Sequence, residues 1–272
     1  MTSSASALGS VLAANGEGFQ APTVQEFYPE PIADFDLFGV AFEITRITLI
    51  MWLATAVMIG LMIAAVRKPT IVPGKMQFIG ESGYSFVRDG IARDVIGPKG
   101  LPFAPFLAAL FFFILANNAM SIVPLAQISP MSKFALPLVL AVITWVLYNW
   151  VGIREQGAKR YFKDAAIPPG VPIGALILVT PIELLQVFVI RPFTLAVRLF
   201  ANMFAGHMLL AVFSLGTVYL LTVGNFSAVF SPFAFLMALA MTFFELLVIV
   251  LQAYVFTILT ATYLSGSVEP AH

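Results

Sequence analysis

Residues 191 to 207 read RPFTLAVRLFANMFAGH, two arginines, an asparagine and a histidine inside a long apolar run. A later run, MTFFELLVIVLQAYVF, holds one acid, Glu245, with Gln252 seven residues on and on the same helical face. At the centre of a membrane helix each ionised side chain costs about 2.5–3.5 kcal/mol, so each such residue is a functional candidate. His207 and Glu245 are both able to take up and release protons, and facing each other across two helices they would form a relay; the alternative is a hydrogen-bonded structural pair. Asn202 lies one turn after Arg198, about 40° round an ideal helix, so its amide meets the same cavity. Ala201, Ala205 and Gly206 keep that face smooth enough for another helix to approach closely. His207 falls on nearly the opposite side. The pattern presents a cation to a tightly packed neighbour, or else forms an ion pair within the bundle with Glu183 or Glu245. Arg191, beside Pro192, reads as a structural charge. Asn117, Asn118 and Ser121 add polar atoms that would line a wet path.

These groups need long apolar elements to hold them, and the composition supplies them. Of 272 residues, 60% are hydrophobic and 10% charged, with zero formal net charge and a mean hydropathy of +0.96. A soluble domain carries about 25% charged residues. The fold class expected is therefore an all-α integral membrane protein. It would have about five transmembrane helices and one interfacial amphipathic helix, the last two spans long, kinked and strongly tilted. The absence of cysteine excludes disulfides and thiolate metal sites, and two histidines make a histidine-rich metal site unexpected. No cofactor is expected. Without a phosphate-binding loop, a dinucleotide fingerprint or a basic run with interleaved aromatics, neither nucleotide nor nucleic-acid binding is expected of this chain.

Residues 1–37 are acidic and carry no lysine or arginine, so they read as an extramembrane tail rather than a signal peptide, and the prolines at 22, 29 and 31 argue against a long helix there. Residues 38–272 form a single membrane domain. Its first span falls in 38–68, the amphipathic helix in 75–97, the second span in 101–128 and the third in 133–154. The fourth run, 171–223, is too long for one upright span. It has no polar turn in its middle and contains Pro181 and Pro192, which predicts one long kinked helix. The last helix is expected in 232–265. Lysines and arginines concentrate after the first and third spans, which places the N-terminus outside and the C-terminus in the cytoplasm.

RLFANMFAGH and LQAYVFTILTATYLS carry a resemblance to subunit a of the F-type ATP synthases, and it extends over about residues 38 to 266. It implies a non-catalytic stator subunit in the membrane, with the c-ring, the peripheral-stalk b subunits and the lipid bilayer as partners. By that resemblance Arg198 faces the ring carboxylates and blocks a direct proton leak between two half-channels. Asn202 and Gln252 match the family's asparagine and glutamine. His207 and Glu245 line the outer half-channel, with the histidine first in this chain, and Asn118 matches an asparagine of the second span. Glu183 resembles the acid of the cytoplasmic half-channel. Ser121 stands where some members carry an aspartate. With no targeting presequence, a bacterial plasma membrane is expected, an organelle inner membrane being the lesser alternative. The reading from another class is a self-contained ion or solute transporter with a buried polar site.

Overall fold

The computed structural model describes residue 19 and residues 22–23, 29–37, 40–67, 70–124, 126–167, 173–222 and 226–268. The chain enters through an antiparallel hairpin, β1 (Ala33–Leu37) and β2 (Val40–Ile44), with Asp34 opposite Glu43. Asp34 and Asp36 alternate with Phe35 and Leu37, the period-two pattern of a strand. The first helix, α1 (Arg46–Val66), follows the hairpin and lies within the 38–68 stretch. In α1 only Ile47, Ile50, Ala54 and Ala65 are buried, so most of its apolar surface faces outward, as a helix at the rim of a membrane bundle does.

The next element is α2 (Lys75–Val87), which continues as a π-helical turn over Arg88–Ile96. Val87, Ile91, Ala92 and Ile96 point into the protein, while Met76, Phe78, Ile79 and Phe86 stay exposed. The element thus has two apolar faces, one covered by protein and one left bare. A 3-10 lead over Pro98–Phe103 brings in α3 (Ala104–Ala119). There follow α4 (Ala135–Gln156), the short α5 (Ala158–Ala166) and α6 (Ile173–Leu185). A π-helical turn, Gln186–Ile190, joins α6 to α7 (Arg191–Thr222) without a break, and α8 (Ser231–Val268) closes the fold. Among the described residues five helices are long and apolar enough to cross a membrane, the last two covering Leu178–Thr222 and Ala228–Val268. The all-helical membrane architecture is as expected, and the fourth apolar run is one long helix rather than two spans.

The distortion in that helix lies between the two prolines. At the end of the π turn the Arg191 N–H reaches back five residues to the Gln186 carbonyl. In the same register the Val187 carbonyl would be served by residue 192, which is proline and has no N–H. The Tyr148 hydroxyl of α4 donates to that carbonyl instead, at 2.6 Å. An orphaned buried acceptor costs about 1–3 kcal/mol, so Tyr148→Phe is expected to destabilise the fold by that amount. A lowered melting temperature of the purified protein checks it, and an unchanged one would remove the tyrosine from this role.

The two ends of the bundle are tied separately. At one end Gln156 Nε2 donates to the Ser267 carbonyl at 2.7 Å, and Tyr161 of α5 donates to Asn149 Oδ1 at 2.9 Å. The Tyr161 ring presses on α4 at Gly152, where a Cβ would collide with it. Arg191 sits 5.3 Å from the centre of the Tyr263 ring, a cation–π distance. At the other end the Arg46 guanidinium donates to the Ala126 carbonyl at 3.4 Å, and Phe19 meets the Tyr219 ring edge-on at 5.6 Å. Lys133 lies in this end too, near Glu43 of the hairpin; burial draws its ammonium below the ordinary value and the Glu43 carboxylate opposes that. The core between the two ends is built by α3, α4, α7, α8 and the π end of α2, with Leu107, Ile114, Leu199, Met203, Phe256 and Leu264 almost wholly enclosed.

Candidate functional site

The α7–α8 pair sorts its polar residues by face. On α7 the buried positions are Leu195, Ala196, Leu199, Met203 and His207. Their spacing of mostly four residues keeps one stripe against the bundle. Thr194, Arg198, Ala201, Asn202 and Ala205 form the opposite, exposed stripe. Arg198 is therefore held outward on a face of mostly small side chains, and among the described residues it forms no ion pair or hydrogen bond. The ion pair with Glu183 or Glu245 that its sequence left open is not formed.

On α8 the buried stripe runs Glu245, Ile249, Gln252, Phe256 and Thr260. Asn202 leans from its exposed position to the seam, where its Nδ2 donates to Gln252 Oε1 at 2.7 Å. This bond crosses the pair one turn from Arg198. Gln252 Nε2 is left without a partner among the described residues.

A second polar group gathers farther along the same pair. The Glu245 side chain packs on Gly206, whose missing Cβ would stand 3.8 Å from the carboxyl carbon. His207 is the next residue, also buried. From α3 and the turn after it come Asn118, fully enclosed, and Ser121. The Ser121 hydroxyl lies beside the Glu245 carboxyl but is directed at the Asn118 carbonyl, at 2.9 Å. Neither Glu245 oxygen is satisfied by a described protein group. Asn118 Oδ1 accepts from Ser129 Oγ at 3.3 Å, whereas its Nδ2 and the Oδ1 of Asn117 have no partner among the described residues. Buried polar atoms are nearly always hydrogen-bonded, and a cluster left unsatisfied by protein is a place for water.

Glu183 is set apart from this cluster. It lies half-buried on α6. At 1.5 Å per residue it is about 22 Å from Arg198 along the helix, and His207 is about 13 Å from Arg198 in the other direction. The sequence-predicted residues thus fall into three groups: Asn118, His207 and Glu245 at one level, Arg198 with the Asn202–Gln252 pair in the middle, and Glu183 beyond the π turn. Sequence reasoning missed the part of Tyr148 and gave Arg191 no aromatic partner. A tyrosine inside an apolar span is the one signal that was available, since its hydroxyl needs a partner.

Residues 48–265 match the ATP synthase A chain family. The chain belongs to that family. It is 46% identical to ATP synthase subunit a of Parafrankia sp. (strain EAN1pec), over 96% of this chain and 88% of that one. Identity to the subunit a of Frankia alni is 44%, over 92% and 86%. With the subunit a of Rhodococcus erythropolis it is 40%, over 94% and 92%. The ATP synthase A chain match takes in every residue of the three groups above. These relatives are bacterial, and with five apolar helices the chain is a multi-pass membrane protein.

Proposed function

We propose that this chain is the stator subunit of a rotary ATP synthase, conducting protons through two half-channels to a ring of c subunits that turns against α7 and α8. The observation that carries the reading is Arg198, exposed on a smooth helical face and without an acidic partner among the described residues. A cation held in that way in an apolar setting calls for an anion from outside the chain. A passing ring carboxylate supplies it. Paired with Arg198, that carboxylate is kept deprotonated, and the fixed positive charge repels any proton that would cross directly from one half-channel to the other.

Glu245, His207 and Asn118 serve the half-channel from the outside. The buried polar atoms of Glu245 and Asn118 left unsatisfied by described protein groups give water and protons a route through the α3–α7–α8 junction, beside His207. Asn202 and Gln252 hold the seam beside Arg198 where the ring carboxylate passes. Glu183, on the far side of Arg198, serves the cytoplasmic half-channel. The N-terminus lies outside and the C-terminus in the cytoplasm of a bacterial plasma membrane. A proton moving through 100 mV delivers about 2.3 kcal/mol, which the ring carries as rotation to the soluble subunits where ATP is made. The chain itself makes and breaks no covalent bond, and the peripheral-stalk b subunits hold it still.

Purification through a tag on this chain in mild detergent tests the reading. The expected companions are a small two-helix proteolipid in many copies and soluble ATPase subunits, identified by mass spectrometry. A chain that arrives alone and moves an ion or solute by itself would overturn it in favour of a self-contained transporter.

A further inference from the structure

α1 and α2 meet at one point and separate beyond it. At the contact, a Cβ added to Gly80 would stand 2.5 Å from the Ala65 Cβ, so the two helices touch almost backbone to backbone. Beside this point they enclose a cleft of about 580 Å³. Its lining is mostly apolar along α1, with Gly60, Ile63, Ala64 and Ala65, and turns polar at the end where Arg67, Thr70, Lys75 and Gln77 join it. Gln77, buried, accepts from the Thr70 N–H and donates to the Thr70 carbonyl, both at 3.2 Å. One acid stands near, Glu81, and Gln77 Nε2 already holds it at 2.7 Å.

An apolar slot along a spanning helix with two cations at one end matches one kind of molecule. We infer that the cleft between α1 and α2 binds a phospholipid with an anionic headgroup, its phosphate between Arg67 and Lys75 and its chain along Gly60 and Ile63. Basic pockets beside membrane helices recognise such headgroups because the charges are paired at the interface while the acyl chain keeps the wall dry. The site lies on α1 and α2, away from Arg198, and does not depend on the role given to that residue.

The chain has no cysteine, so Ile63→Cys, at a side chain 60% exposed, offers a single labelling position within it. The test uses the whole complex, its other subunits cleared of accessible cysteine, labelled with a fluorophore at this position. The complex is reconstituted in phosphatidylcholine vesicles containing increasing amounts of brominated phosphatidylglycerol. Quenching is expected to saturate at about tenfold lower content than with brominated phosphatidylcholine. The double variant R67Q/K75Q is expected to abolish that preference. Gly60→Leu fills the slot and is also expected to abolish it; outside the helix's own backbone no described atom lies within 4 Å of a Cβ there, so the position has room for a side chain. Equal quenching by both lipids in the unmodified complex would overturn the inference. So would a label that neither lipid quenches, with a photocross-linker at the same position capturing another subunit, because the occupant would then be protein.

Discussion

Arg198→Ala is expected to leave the protein assembled and to abolish ATP-driven proton pumping. The two halves of this expectation have separate grounds. Arg198 makes no hydrogen bond or ion pair among the described residues, and its side chain is exposed. Its removal therefore opens no cavity and strands no partner among the described residues, and it relieves an insertion cost of about 2.5–3.5 kcal/mol. On the proposed reading, the loss falls on the ring. A carboxylate brought against this face without its cation is an uncompensated charge in a low-dielectric setting, worth about 3–5 kcal/mol, or two orders of magnitude or more in the fraction deprotonated. Pumping by inverted vesicles, followed with a pH-sensitive dye, should fall to background while the amount of assembled complex holds. Arg198→Lys keeps the charge but loses the planar fork that meets a carboxylate with two parallel bonds, and it should restore little. Normal pumping by Arg198→Ala would remove the residue from this role. A complex that no longer assembles would make Arg198 a structural group.

Much of this geometry was legible in the sequence because it follows from period and polarity. The spacing of Arg198 and His207 put them on opposite sides of a helix, and the structure has the first exposed and the second buried. The fourth apolar run lacked a polar turn, and it is one helix. What was not legible depends on tertiary partners. The π turn at Gln186–Ile190 has no sequence period of its own; it rests on Pro192 withholding an N–H and on Tyr148 arriving from another helix. The hairpin before α1 did leave a period-two trace at Asp34–Leu37, too short to stand out beside three prolines. The Asn202–Gln252 bond joins residues fifty positions apart, and matching those two across helices requires the register of α7 on α8. Likewise Gly206 read as one small residue among several, although it is the surface on which the Glu245 carboxyl packs.

That contact makes Glu245→Gln the most informative second substitution. The amide has nearly the shape of the carboxyl, so packing on Gly206 is preserved. Neither carboxyl oxygen bonds to a described protein group, so an amide breaks no protein hydrogen bond that the fold uses, and the melting temperature should change little. Glutamine cannot take up and release a proton. A positioned acid–base group contributes about 10²–10⁴ to a proton transfer, so pumping should drop by about a hundredfold or more. Glu245→Asp keeps the chemistry and withdraws the carboxyl from Gly206 by one methylene, so it should recover part of the rate. A structural pair predicts the reverse order: glutamine, able to donate as well as accept, would serve as well as glutamate, and the shortened aspartate would be the damaging change. Proton pumping and melting temperature, measured on all three proteins, separate the two accounts. If glutamine pumps normally, protons reach the ring without Glu245, and the buried atoms of His207, Asn118 and Ser121 become the route to examine.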